Sequence, residues 1–255
     1  MIRIIISPAK KMNIVEEGPV RLTTPVFIEK AALLRNTLKE MSFENLKTLW
    51  SCNEKIALLN TERLHQLDLY RNLTAAALSY EGLQYQHLSP QVLSDEGWDY
   101  ITEHLRILSG FYGILKPTDG IIPYRLEMQA KLATDYGKDL YQFWGESICQ
   151  ELMRIDSADK TGHSKVHVLN LASGEYSKAV LPYLNKDQYT TITFGELVNG
   201  KVKTKGTLAK MARGEMVRWM AEHQIEELDD VKKFDALGYQ YHEELSGENE
   251  FVFLI

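Results

Sequence analysis

Two hydrophobic patterns alternate along the chain. Short runs of consecutive apolar residues are proper to buried strands; longer stretches with apolar residues every three or four positions are proper to amphipathic helices. Ile2-Arg3-Ile4-Ile5-Ile6 predicts an opening strand that ends at Ser7-Pro8-Ala9-Lys10-Lys11. Residues 166–171 predict a second buried strand, and 75–80 a short one that breaks at Gly82. Asn199-Gly200 between 190–198 and 201–204 is a two-residue hairpin signal. A closing hairpin is expected over 239–245 and 250–255, around Ser246-Gly247.

The helical pattern predicts five main segments. One runs over 24–41 with Pro25 at its first position, where the missing N–H costs nothing. Ser51-Cys52-Asn53-Glu54 has the form of a capping box ahead of Ile56, Leu59 and Arg63. Ser94 caps a segment expected to continue through 108, because Trp98, Ile101, Leu105 and Leu108 form one apolar stripe. Residues 139–155 and 208–223 complete the set, the last marked by Leu208, Met211, Ala212, Met216 and Trp219. No repeat or linker divides the chain, so the expectation is one compact α+β domain over 1–255 with β-hairpins.

Composition narrows the class. With 255 residues, 44% hydrophobic and 25% charged, the chain can bury a sizeable core. No apolar run approaches the ~18–20 residues that span a bilayer, and the N-terminus is too short for a signal peptide. Cys52 and Cys149 are expected as free thiols in a reducing cytoplasm. The net charge of −6 is unevenly spread. Residues 201–218 hold six bases and one acid, whereas 222–250 hold ten acids and two bases. A local basic surface therefore coexists with an acidic tail.

The common catalytic signatures are absent: no P-loop, dinucleotide fingerprint, nucleophile elbow or zinc-protease helix motif occurs. The seven histidines scatter, only His163 and His167 being near neighbours, so neither a metal nor a cofactor is expected.

Four segments carry candidate chemistry. Ser109-Gly110-Phe111-Tyr112-Gly113 admits two turns, which would suit either a helix-hairpin-helix-like phosphate grip or a glycine-rich packing corner. Pro123-Tyr124-Arg125 stiffens the approach to an arginine that either pairs with Glu127 or Glu175 or faces a cleft. Asn170 to Lys178 follows a strand and sets Glu175, Tyr176 and Lys178 within four residues. Lys210 and Arg213 share one helix face next to Gly214, a residue that favours close approach.

Together with Ser7-Pro8-Ala9-Lys10, Leu105 to Gly113, Pro123 to Met128 and Gly137 to Gly145, these segments closely resemble the bacterial YaaA family of peroxide-stress proteins, in order along the whole chain. The chain departs from the family pattern at Gly174, where an acid is usual, and at Met211, where a further lysine is usual. The resemblance implies a cytoplasmic protein with a positively charged cleft, linked to limiting iron-driven oxidative damage. It also implies binding of duplex or distorted DNA with little sequence preference, through a helix-hairpin-helix-like element. Carried onto this sequence, the DNA contacts would be Lys10, Ser109, Gly110, Gly113, Arg125, Lys138, Lys178, Lys210 and Arg213.

An enzyme is the alternative, acting on a phosphorylated or nucleobase-like substrate in the same cleft. Glu175 would be the base, Lys178 or Arg125 would stabilise an anion, and Tyr176 would stand beside them. That alternative requires a confined pocket with Glu175 facing into it. Neither reading fixes an oligomeric state.

Overall fold

The computed structural model describes residues 1–16, 18–155 and 165–255. At its centre is an eight-stranded sheet of β1 (Ile2–Ile6), β2 (Leu105–Ser109), β3 (Gly113–Leu115), β4 (His167–Asn170), β5 (Tyr189–Val198), β6 (Lys201–Lys203), β7 (Gln240–Tyr241) and β8 (Glu250–Leu254). The spatial order is β7-β8-β5-β4-β1-β2-β3, with β6 paired to β5. The inner five strands run parallel and antiparallel hairpins finish the margins. All five residues of β1 are buried, as expected for a parallel strand covered on both faces. Ile4 lies opposite Leu105 on one side and Leu169 on the other.

Around the sheet stand α1 (Ile28–Lys39), α2 (Phe43–Leu49), α3 (Glu54–Gln66), α4 (Leu83–Leu88), α5 (Asp95–His104), α6 (Leu140–Trp144), α7 (Ser147–Leu152), α8 (Gly174–Ser177) and α9 (Gly206–Glu222). The chain is thus the mixed helix-and-strand domain that the patterning predicts, with hairpins where turn chemistry puts them. Asn199 and Gly200 both take positive φ, 52° and 72°, as a primed two-residue turn requires.

Several boundaries shift for physical reasons. Ser94 does cap α5, its Oγ accepting from Gly97 N at 3.2 Å. The helix stops at His104, however, because the next five residues are all buried and the first three of them pair with β1. The 139–155 segment breaks into α6 and α7 at Gly145, which takes φ 49°. Asn53, and not Ser51, caps α3 by accepting from Ile56 N. Residues 75–80 bend through a helical turn, Ala76–Ser79, between two strand fragments.

The helix-hairpin-helix expectation fails at 109–115. β2 and β3 form an antiparallel strand hairpin, with Ser109 opposite Gly113. The backbone amides of Phe111 and Tyr112 donate to Ser109 Oγ, so they are spent inside the protein and cannot grip a phosphate. Ser109, Gly110 and Gly113 are buried. Gly113 supplies the turn at φ 76°, and a Cβ on Gly110 would lie 2.6 Å from the Leu126 carbonyl oxygen. This is the glycine-rich packing corner, not a surface turn.

A second close approach shapes the functional face. Gly214 brings α9 onto α4, where a Cβ would strike the Gln84 carbonyl oxygen. Alanine gains about 1 kcal/mol of helix propensity over glycine. A backbone clash offers no rotamer to relieve it, and overpacking costs about 1–3 kcal/mol, so the clash wins. Thermal unfolding should show Gly214→Ala less stable by several degrees. Gly174→Ala, with no atom within 4 Å of the added carbon, should be neutral or stabilising.

Candidate functional site

The parallel pairing of β1 with β4 creates a crevice. After β1 the chain goes on to β2 on one side; after β4 it goes on to β5 on the other. Loops that diverge in this way leave a hollow beyond the carboxyl ends of the two strands, the usual place for ligands in open parallel sheets. Ser7 and Ser173 tie the two loops together. Ser173 N donates to Ser7 Oγ at 2.9 Å, and the two hydroxyls are 3.1 Å apart.

A cavity of about 420 Å³ opens here, a size suited to a small molecule or one nucleotide unit rather than a duplex. Its wall draws on Ser7 to Lys11, Glu81 to Tyr85, Tyr124 to Glu127, Ser173, Glu175, Tyr176, Lys210 and Arg213. Of the residues expected at a site, Lys10, Arg125, Glu175, Tyr176, Lys210 and Arg213 come together. Lys178 and Lys138 do not line it. Lys178 is exposed, its Nζ 4.7 Å from the centre of the Tyr141 ring. Lys138 is exposed too, its backbone N donating to Gln142 Oε1.

Glu127 organises one wall. Its Oε2 is 2.9 Å from Lys10 Nζ, and its Oε1 is 3.0 Å from Arg125 Nη2. Arg125 and Glu127 side chains are 10% and 16% exposed, whereas Lys10 is 64% exposed, so the interior pair is Arg125–Glu127 and Lys10 belongs to the rim. The two alternatives for Arg125 therefore coincide: it is paired with an acid and it lines the cleft. Contact with Glu127 is one of charge rather than a well-directed hydrogen bond. Arg125 Nε and Glu127 Oε1 are both buried without a hydrogen-bond partner among the described residues.

Glu175 differs from Glu127. Its Oε1 accepts from Gln129 N at 3.2 Å, and no ion pair engages it among the described residues. Burial raises its pKa; the Gln129 hydrogen bond opposes the rise, the nearby Glu127 charge adds to it and Lys10 opposes it. The carboxylate is thus held half-buried and poorly compensated, as a proton acceptor would be.

Helix α9 supplies the opposite wall. Lys210 is exposed at the mouth, and Arg213, one turn on, reaches inward. Burial lowers the Arg213 pKa, and no ion pair engages it among the described residues. Its Nε has no acceptor among the described residues. Gln84, held in place by the α4–α9 contact, is in the same state: its buried Nε2 has no acceptor among the described residues. Buried donors without partners are costly and uncommon, and here two belong to residues that line one cavity from adjacent helices. Gln84 and Tyr85 escape sequence reading because no local pattern marks them, and Ser7 stands in a family-like motif without a role being assigned to it. Gly214 is the single local clue, and it points to the contact rather than to Gln84.

Among the described residues, no group of three or more His, Cys, Asp or Glu side chains is placed to hold a metal, and His163 lies outside them. No helix among them is long and apolar enough to cross a membrane.

A family model described as "Peroxide stress protein YaaA" matches residues 2–245. The chain is 49% identical over 252 residues to a UPF0246 protein of Agathobacter rectalis, covering 98% of each. It is 50% identical over 254 residues to a UPF0246 protein of Lachnoclostridium phytofermentans, covering 99% of this chain and 96% of that one. A UPF0246 protein of Pediococcus pentosaceus is 47% identical over 253 residues, with 99% and 97% covered.

The state of Glu175 gives a pH signature. A carboxyl whose pKa is raised on folding favours the folded state below its unfolded pKa, near 4.3, and loses that contribution as pH rises through the folded value. Glu175→Gln should therefore be more stable than the parent at pH 7. The advantage should vanish towards pH 4, as read by chemical denaturation across that range.

Proposed function

The chain belongs to the peroxide stress protein YaaA family, and on that premise we propose that it protects DNA by binding it at this cavity. Lys10, Lys11 and Lys210 meet the phosphate backbone at the rim, and Arg213 anchors one phosphate inside. The observation that carries the reading is Arg213: a half-buried guanidinium in the wall of a cavity, whose buried Nε has no acceptor and which no ion pair engages among the described residues. An anionic oxygen is what would compensate it. The cavity volume favours distorted DNA over intact duplex, because a nucleotide turned out of the stack fits where a double helix does not. Backbone-dominated contact brings little sequence preference. Neutralised phosphates release their condensed cations, and limitation of iron-driven damage follows if iron is among the cations displaced from DNA.

Glu175 favours a second reading. A half-buried carboxylate free of ion pairs is more than a phosphate clamp needs. In this reading the cavity is the active site of an enzyme for a free phosphorylated or nucleobase-like molecule, with Glu175 as the base.

Gel-shift titration separates the two. DNA binding predicts retention of a duplex carrying an unpaired nucleotide, weaker retention of perfect duplex, and affinity that falls steeply with salt. Lys210→Glu with Arg213→Glu should abolish retention; unchanged binding would contradict the assignment. A mononucleotide that saturates the protein, with DNA unable to compete, would favour the enzyme.

A further inference from the structure

Behind the cavity wall a chain of buried hydroxyls ends on Tyr124, and its direction can be counted. Ser109 Oγ accepts the backbone N–H of Phe111 at 3.1 Å and of Tyr112 at 2.9 Å. Those bonds occupy both acceptor positions of a serine hydroxyl. The Ser109 proton therefore goes to its remaining neighbour, the Tyr124 hydroxyl, at 2.6 Å. Tyr124 is also 2.7 Å from the Tyr80 hydroxyl.

Two arrangements satisfy these distances. If Tyr124 donated to Tyr80, the Tyr80 proton would need another acceptor. The Tyr80 hydroxyl has no other hydrogen-bond partner among the described residues, the residue is 3% exposed, and it is not part of the cavity wall. A buried donor would be stranded, a loss that folded proteins avoid. If Tyr80 donates to Tyr124, every buried proton has an acceptor. Tyr124 then accepts twice, and its own proton is left for the cavity it lines.

We propose that the Tyr124 hydroxyl is the cavity's donor to an acceptor oxygen, carbonyl or anionic, of a nucleotide ligand, with Ser109 and Tyr80 as positioning residues. This rests on the reading that the cavity holds a phosphate-bearing ligand, and it extends that reading from the phosphate anchor to the rest of the molecule. The ring is fixed for the role. It stacks on Phe111 at 5.0 Å and 25°, and meets Tyr112 edge-on at 5.4 Å and 80°. Accepting two hydrogen bonds polarises the remaining O–H and makes it a better donor. Burial pushes the Tyr124 pKa up to about 12, a rise that the Ser109 and Tyr80 hydrogen bonds restrain. At neutral pH the phenol keeps its proton, so it donates and does not act as a base. Gln84 Nε2 and Arg213 Nε, the orphaned donors in the same wall, select for the same kind of partner, a ligand rich in oxygen acceptors.

Two measurements test this, one of them without a ligand. With tyrosine labelled at Cζ, hydroxyl exchange is read by NMR in mixed light and heavy water, and signals are assigned with Tyr124→Phe and Tyr80→Phe. Slow exchange at Tyr80 and fast exchange at Tyr124 are expected. The reverse order would overturn the counted direction, whether or not any ligand binds. Calorimetry with thymidine monophosphate is the second. Tyr124→Phe should weaken binding about 5- to 50-fold when measured well below its melting temperature, as expected for one lost hydrogen bond to a charged or polarised oxygen; the melting temperature itself should fall, because the Ser109 and Tyr80 protons lose their acceptor. Full affinity in Tyr124→Phe together with loss in Arg213→Ala would sink the Tyr124 role and leave the phosphate anchor standing. Absence of binding to the parent protein, by contrast, would count against the cavity reading itself.

Discussion

Parallel pairing of two short buried strands is the constraint on which the rest depends. Registered from Ile2 opposite His167 to Ile5 opposite Asn170, β1 and β4 deliver their loops side by side and then part. Backbone hydrogen bonds to both neighbours hold that register, since β1 lies between β4 and β2 in the sheet interior. Ser7 and Ser173 then close the gap between the loops. Chain as far apart as Lys10 and Glu175 becomes one wall without any local signal to bring it there.

The two sides of the cavity are electrically different. Around Glu127 the charges are compensated, since one carboxylate serves both Lys10 and Arg125. On α9 they are not. Arg213 has given up part of its hydration to burial and no ion pair engages it among the described residues, and a polar group buried without a partner is costly. Folds retain such features where a ligand completes them, and the stability is made up elsewhere in the core. Glu175 carries the same kind of imbalance with the opposite sign. A cavity that holds a cation and an anion, neither of them in an ion pair among the described residues, is poised for a ligand with both an anionic and a polar end.

What could be read from the sequence was local. The first strand, the β4 strand, the Asn199-Gly200 turn and the Ser94 cap all follow from nearest-neighbour chemistry, and all are present. The misread stretch was 105–115. Leu105 and Leu108 extend the helical spacing of Trp98 and Ile101, yet Leu105–Ser109 is a strand because pairing with β1 outweighs a two-residue continuation of the stripe. Tertiary pairing overrides local preference at just such a junction. Six of the expected site residues converge: Lys10, Glu175 and Tyr176 follow the ends of β1 and β4, Lys210 and Arg213 share one face of α9, and Arg125 comes from the irregular stretch after residue 121. Lys138 and Lys178 fall outside because charge alone does not say which way a lysine points. The serine–tyrosine chain was illegible, since its members Tyr80, Ser109 and Tyr124 meet only in the folded protein.

Nitrogen NMR of the Arg213 Nε–H group tests the central claim most directly, with the signal assigned by Arg213→Lys and followed during titration with a phosphate-bearing nucleotide. An Nε that lacks an acceptor in the free protein should shift on titration and become protected from exchange with water as an anionic oxygen takes its proton. An Arg213 signal that stays in place while other resonances of the protein move would place the ligand elsewhere and contradict the account.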